Sequence, residues 1–580
     1  MLLGTDEKKQ PIYHLGQNGE FIIENFNDSK PLSSFLPAIA GLYGIPMWVF
    51  YVNRGQCIAS MGITNKDNAI LEFFPANRAY QLTPQQGFRT FIKIGKANTL
   101  FYEPFQNNLV NASLQTRQKM IITSYDLKLV DINENIGLKT EVHYFNVANE
   151  PFPALCRTLT ITNTSDKKLE LQVLDGLPFI ISHGLIHIIQ KDLSRTAEAW
   201  VEVVNNEYNA PLYRLKAKIA DKPEVEHIQD GHFYFTFKDE HGLIEHAKPI
   251  IDPALIFGQA NDFSYPSEFV KNTEFLKPVY QRNENITPCA FGYHTLTLKP
   301  REQGRIFSMI GHIGNITRLN SLIRSSISPA YFDKKAQENR AVIEKIQDHI
   351  TTVSSSKEFN LYCKQTFLDN VLRGGLPISI GSEDQKKIFH VFSRKHGDLE
   401  RDYNKFSVLA NPYSQGNGNY RDINQNRRND VWINTEVKDS NILTFMNLIQ
   451  TDGYNPLVIK GSSFTVHDKE SVFSFITGAV KHADEAASIK HFLSAPFTPG
   501  GLLKFIDDKE ILLQLSSKEF INAIISKSSK NEESEHGEGF WSDHWTYCLD
   551  LIESYLSIYP EKLSELLIDK NDFVFFHNQA

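Results

Sequence analysis

Up to about residue 310, apolar and polar side chains alternate in short runs broken by turn-forming clusters. A period of two is the pattern of a strand with one buried face. RTLTITNTSDKKLELQVLDGLPFII (157–181) holds two such runs around NTSDKK and predicts a hairpin. HFYFTFKD (232–239) and GYHTLTLKPREQGRIFSMIGHIG (292–314) repeat the style. Ile45–Val52 is a continuous apolar run, predicting a buried strand that leaves through a polar turn at Asn53–Gln56. Many strands with few helical patterns favour a large antiparallel sandwich.

The period then changes. In SPAYFDKKAQENRAVIEKIQDHI (328–350), Ala341, Ile343, Ile346 and Ile350 recur at helical spacing, which predicts a linking helix. Beyond Ser354, helical stretches such as KEFNLYCKQTFLDNVLRG and WTYCLDLIESYLSI alternate with long polar loops, as in a toroid of helices whose loops build a cleft. SKSSKNEESEHGEG (526–539) has the composition of a solvated loop. The expected class is therefore multidomain β + α.

Composition changes this picture little. The 580 residues exceed one ordinary core. A net charge of −8 argues against a nucleic-acid polyanion as main partner. The five cysteines are scattered and odd in number, so neither a disulfide framework nor a thiolate zinc site is indicated. No Cys-x-x-Cys pair occurs, His544 has no second ligand at zinc spacing, and no metal is expected. The start of the chain has no secretory signal pattern, and no apolar run reaches membrane-spanning length. A soluble, cytoplasmic protein follows. Phosphate-loop, dinucleotide-binding and serine-hydrolase motifs are lacking.

Two stretches carry candidate chemistry. GNGNYRDINQNRRND (416–430) has Ile423 as its one aliphatic side chain. Arg421, Asp422, Asn424, Gln425 and Asn426 supply guanidinium, carboxylate and carboxamide groups within six positions. Such groups suit sugar hydroxyls, which both donate and accept. In GEGFWSDHWTYCLDLIESYL (537–556), Trp541 and Trp545 flank Asp543 and His544 ahead of a helix, with Ser542 or Asp543 as its cap. Indole faces stack on pyranose rings, and an adjacent carboxylate binds hydroxyls. An exposed polar loop and a capped helix with core tryptophans are the plainer alternatives.

GIPMWVFYVNRGQ, ILEFFPA, SRKHGDLERDYNKF, GNYRDINQNRRND, DGYNPLVIKG and FWSDHWTYCLDLIESYL together resemble the inverting phosphorylases of glycoside hydrolase family 94. The 1,2-β-oligoglucan phosphorylase branch is the nearest likeness, with the cellobiose-type members further off. The resemblance implies a β-sandwich (1–310), a helical linker (311–354) and an incomplete (α/α)6 barrel (355–580). By the same likeness Arg421, Asp422 and Gln425 would hold the non-reducing-end glucose. Asn426 stands where cellobiose-type members carry aspartate. Inorganic phosphate would be co-substrate, and no cofactor is implied.

In that family one Asp protonates the leaving oxygen while phosphate attacks. Acid and phosphate ligands lie beyond the FWSDHW segment there, so catalytic residues stay unassigned. The expectation is an N-terminal portion of such an enzyme, inactive alone, whose partners are a β-linked gluco-oligosaccharide, a separately encoded C-terminal half, and a second copy in a homodimer. Whether the chain by itself is an enzyme stays open. The alternatives are a non-catalytic carbohydrate-binding remnant and the phosphorylase-like module of a cyclic β-1,2-glucan synthase.

Overall fold

The computed structural model describes residues 11–95, 100–106, 116–220, 222–240, 242–273, 275, 280–382, 385–395, 405–537 and 541–577. They divide into two compact units. The first holds those up to Ala40 and from Pro46 to Ile343. The second holds Gly41–Ile45 and almost all from Glu344 onward.

The first unit is built on antiparallel sheets. In the largest, Thr116–Ile122, Asp126–Asn133, Leu138–Asn146, Ala154–Asn163, Gln303–Ile313, Gly231–Glu240, Leu212–Leu215 and Val201–Val204 lie side by side in that order. A second sheet is ordered Ala290–Leu298, Leu169–Leu177, Arg89–Ile94, Leu100–Tyr102. A third runs Ser33–Leu36, Trp48–Val52, Ile58–Gly62, Ala69–Leu71.

Strand parity sorts the large sheet's two faces. Phe233, Phe235, Phe237, Phe307 and Met309 point one way, into a core with Leu319, Ile323 and Phe332 from the helices Ile316–Ser325 and Pro329–Gln347. The alternate residues face the second sheet. Arg157 pairs there with Asp175, Tyr234 donates its hydroxyl to the Asp175 carbonyl, and Thr236 meets His294.

The predicted hairpin is corrected. Both strands form, but Ala154–Asn163 belongs to the large sheet and Leu169–Leu177 to the second. The connection arches between layers. Ala290–Leu298 and Gln303–Ile313 are divided in the same way. The Asn53–Gln56 turn is also not a surface feature. Asn53 and Gln56 are buried, and Asn53 donates to Ser29 Oγ at 2.6 Å and accepts from Leu32 N at 2.9 Å. Gly55 has φ +55°, and a Cβ there would sit 2.9 Å from Pro84.

The helix predicted around 341–350 runs Pro329–Gln347. Its buried positions include Phe332, Lys335, Asn339, Ile343 and Ile346, whereas Ile350 is exposed. Lys335 is held inside by Glu150 and Glu338, both at 2.7 Å.

The second unit is mainly helical. Its longer helices are Lys357–Gly374, Lys469–Ala479 and Asp543–Ile558. Residues 528–535, expected as loop, form a strand paired antiparallel with Val458–Val466. Its charges are accommodated because Lys530 and Glu532 pair at 2.5 Å on the same side of the strand. Among the described residues no helix is long and apolar enough to cross a membrane.

Candidate functional site

The polar stretch at 416–430 is mostly helix. Tyr420–Arg427 makes two turns, and burial follows i, i+3, i+4, i+7: Tyr420, Ile423, Asn424 and Arg427 face inward. Their core partners include Phe445, Cys548, Leu551 and Tyr555. The last three lie on the buried face of the helix Asp543–Ile558. Arg421 and Arg428 therefore point outward, with Asp422 and Gln425 partly exposed.

The two helices run in the same direction. Arg421 Nη1 lies 4.0 Å from Asp543 Oδ2, and Arg428 Nη1 lies 3.4 Å from Asp550 Oδ2. Each pair is seven residues from the next on both helices, about two turns. The pairing brings together the two stretches singled out in the sequence.

A column of rings supports this surface. The Tyr420 and His544 rings stack at 4.9 Å and 26°. Trp541 continues the column, 6.4 Å from His544 at 20°, and its indole is exposed. Asn455, from the DGYNPLVIKG stretch, contacts His544 Nδ1 at 2.8 Å through Oδ1. Burial holds His544 below the usual histidine range. An N–H on Nδ1 therefore donates to Asn455.

Tyr547 is an addition the sequence did not single out. Its hydroxyl donates to Asp543 Oδ2 at 3.3 Å. Burial, then the negative charge of Asp543, raises its pKa. Only its one-turn spacing from Asp543 hinted at a role.

The other expected site residues are distributed unevenly. Asp422 accepts from Asn419 Nδ2 at 3.1 Å. Gln425 is half-buried. Asn426 turns its amide back onto the Asp422 carbonyl at 2.7 Å. Asn424 is fully buried and donates toward Cys548 Sγ at 3.6 Å, so it lies beneath the surface rather than on it. The helix starts at Asp543 behind Ser542, whose side chain makes no cap bond. Much of SRKHGDLERDYNKF (396–404), and Phe540 of FWSDHW, lie outside the described residues.

A buried polar group lies at the end of the helix Tyr420–Arg427, where Asn441 Nδ2 also donates to the Arg427 carbonyl at 3.2 Å. His390 Nε2 and Asp430 Oδ2 are 2.9 Å apart, and Asn441 Nδ2 donates to the same oxygen at 2.9 Å. Burial pushes the Asp430 carboxyl up to about 7. Burial, with the nearby charges of Arg427 and Lys530, holds His390 well below its ordinary value.

No family model matches the chain, and no curated protein matches it. Solved structures give distant likenesses. A kojibiose phosphorylase candidate from the human microbiome is 9% identical at TM-score 0.21, covering 61% of this chain and 33% of its own. A bacterial glucoamylase complexed with acarbose is 8% identical at TM-score 0.34, covering 83% and 61%. A galactose mutarotase related enzyme from Lactobacillus acidophilus is 11% identical at TM-score 0.23, covering 49% and 99%. This chain thus spans a third and three-fifths of the first two. Likenesses this distant define neither family nor activity.

Proposed function

We propose that the outward strip of Arg421, Asp422, Gln425, Trp541 and Asp543 binds β-linked gluco-oligosaccharides, and that the chain takes part in their inverting phosphorolysis. One observation carries the reading: residues far apart in the sequence share one surface, with Arg421 4.0 Å from Asp543 beside the exposed Trp541 indole.

The chemistry is complementary to a pyranose. The guanidinium offers parallel donors to vicinal hydroxyls, and the two carboxylates accept from them. The indole face covers the C–H face of the ring. These groups bind and orient sugar. The reaction also needs an acid to protonate the leaving oxygen and a phosphate ion to attack from the opposite face; neither role is assigned to a residue of the strip.

Charge-assisted hydrogen bonds contribute roughly 1.5–3 kcal/mol each when sheltered. Arg421→Ala should weaken calorimetric binding of a β-1,2-linked gluco-oligosaccharide about ten-fold or more. Its urea midpoint should stay near that of the wild type, because the side chain is half exposed. Equal binding by the two proteins would make the strip an ordinary polar surface.

A further inference from the structure

Three histidines far apart in the sequence meet in the first unit. His232 and His312 sit directly opposite each other on the neighbouring strands Gly231–Glu240 and Gln303–Ile313. Cross-strand partners in register hold their Cβ atoms about 4.5–5.5 Å apart. His183 follows the strand Leu169–Leu177. It is pinned to the sheet by its N–H to the Tyr213 carbonyl at 3.1 Å and by Leu215 N to its own carbonyl at 2.8 Å. The three rings have centroids 4.6, 5.2 and 5.3 Å apart. One nitrogen from each lies within 4.8 Å of the others.

A carboxylate borders two of the three rings. Asp230 Oδ2 is 3.1 Å from His183 Nε2 and 3.5 Å from His312 Nε2. Ligands at zinc bond lengths of about 2.0–2.1 Å in a tetrahedron stand roughly 3.3 Å from one another. These oxygen–nitrogen spacings therefore already match two edges. His232 is fully enclosed, and neither ring nitrogen makes a well-formed hydrogen bond, although the Ala69 backbone acts on it. A buried imidazole without such a bond, facing two other imidazoles that share a carboxylate, is an arrangement a metal would satisfy.

We propose that His183, His232, His312 and Asp230 form a binding site for a divalent transition metal of the zinc class, tying the chain after Leu177 to the large sheet. Imidazole-rich donors with one carboxylate suit zinc rather than magnesium or calcium. Side-chain rotations that bring the three rings and Asp230 to one point would complete the tetrahedron. The Asp230 side chain is 41% exposed and gives the ion access. Four protein ligands leave no open position, which makes the site structural.

The test uses the whole chain stripped with a chelator. Titration with Zn2+ should show one site per chain tighter than about 1 µM, with a rise in melting temperature. Co2+ should give the intense visible absorption of a tetrahedral site. His232→Ala should weaken binding at least about 100-fold. Should that variant not fold, Asp230→Asn and His183→Gln, at more exposed positions, should each weaken it about ten-fold or more. Binding weaker than about 10 µM, an octahedral cobalt spectrum, or an affinity unchanged by these substitutions would overturn the proposal.

Discussion

The guanidinium of Arg157 is fully enclosed, yet it has a partner on each nitrogen. It pairs with Asp175 and donates to Gln56 Oε1 at 2.6 Å, Thr90 Oγ1 at 3.2 Å and the Tyr144 hydroxyl at 3.3 Å. Removing one member of a buried pair strands the other, at about 3–5 kcal/mol. Arg157→Met should lower the first unit's unfolding free energy by that order. Arg157→Met with Asp175→Asn should recover part of it. A urea melt of the single variant within about 1 kcal/mol of wild type would contradict this account. Asp430 offers a pH-dependent counterpart. Its carboxyl is raised from 3.8 to about 7, so the folded state favours the protonated form. That contribution is fully present below about pH 4 and is lost as pH rises through 7. His390 runs the other way: its contribution is present above 6.5 and lost as pH falls. Asp430→Asn keeps a neutral, similarly shaped group and leaves His390 in place. Comparing the two proteins therefore isolates the carboxyl. Wild-type stability should fall by up to about 1.4 kcal/mol per pH unit between roughly 4 and 7 relative to the variant. Parallel stability curves in urea melts at pH 5 and 7.5 would show that Asp430 ionises without cost.

At the scale of elements, the short helix Tyr420–Arg427 depends on its inward face. Ile423 is 1% exposed within the core of the second unit. Ile423→Ala should cost about 2–5 kcal/mol. Arg428→Ala removes a half-exposed ion pair with Asp550 and should cost no more than about 1 kcal/mol. Similar losses from both in thermal melts would mean that surface charge, not burial, holds the helix. Periodicity made much of this level legible. The strands around 154–177, 231–240 and 290–313 and the helices near 329–347 and 543–558 were visible in their spacing. Partner choice was not, because a hairpin and an arch share two alternating runs around a polar turn. The strand 528–535 was hidden because Lys530 and Glu532 neutralise each other instead of meeting water. Lys335 and Asn339 were hidden on their helix face because Glu150 and Glu338 neutralise the first and the Tyr125 carbonyl accepts from the second. In the site, the polar groups of 421–426 and the Trp541–Asp543 pair were legible as residue types, whereas the helix Tyr420–Arg427 was not, because a two-turn helix with Ile423 as its one aliphatic residue reads as a polar loop, and the meeting of Arg421 with Asp543 needed the fold. The burial of Asn424, one residue after Ile423 on the inward stripe, was hidden with that helix.

At the scale of the molecule, each compact unit has its own core, and the segment 351–356 joining two helices is largely exposed, with Val353 at 90%. Limited proteolysis should cut there first, leaving a β-rich fragment ending near residue 350 that retains its circular dichroism. Loss of all protected material in one step would mean that the units unfold together. The arches have a consequence in time. Gln303–Ile313 is the last strand of the large sheet to be synthesised, but it sits in the middle, between Ala154–Asn163 and Gly231–Glu240. At roughly 5–20 residues per second, a ribosome needs on the order of ten seconds to travel from Asn163 to Ile313. Throughout that interval the earlier strand has an open edge and the sheet cannot zip. Nascent chains of this protein should therefore lean on chaperones until position 313 clears the exit tunnel, and a stop just before that strand should yield aggregate rather than a smaller folded domain.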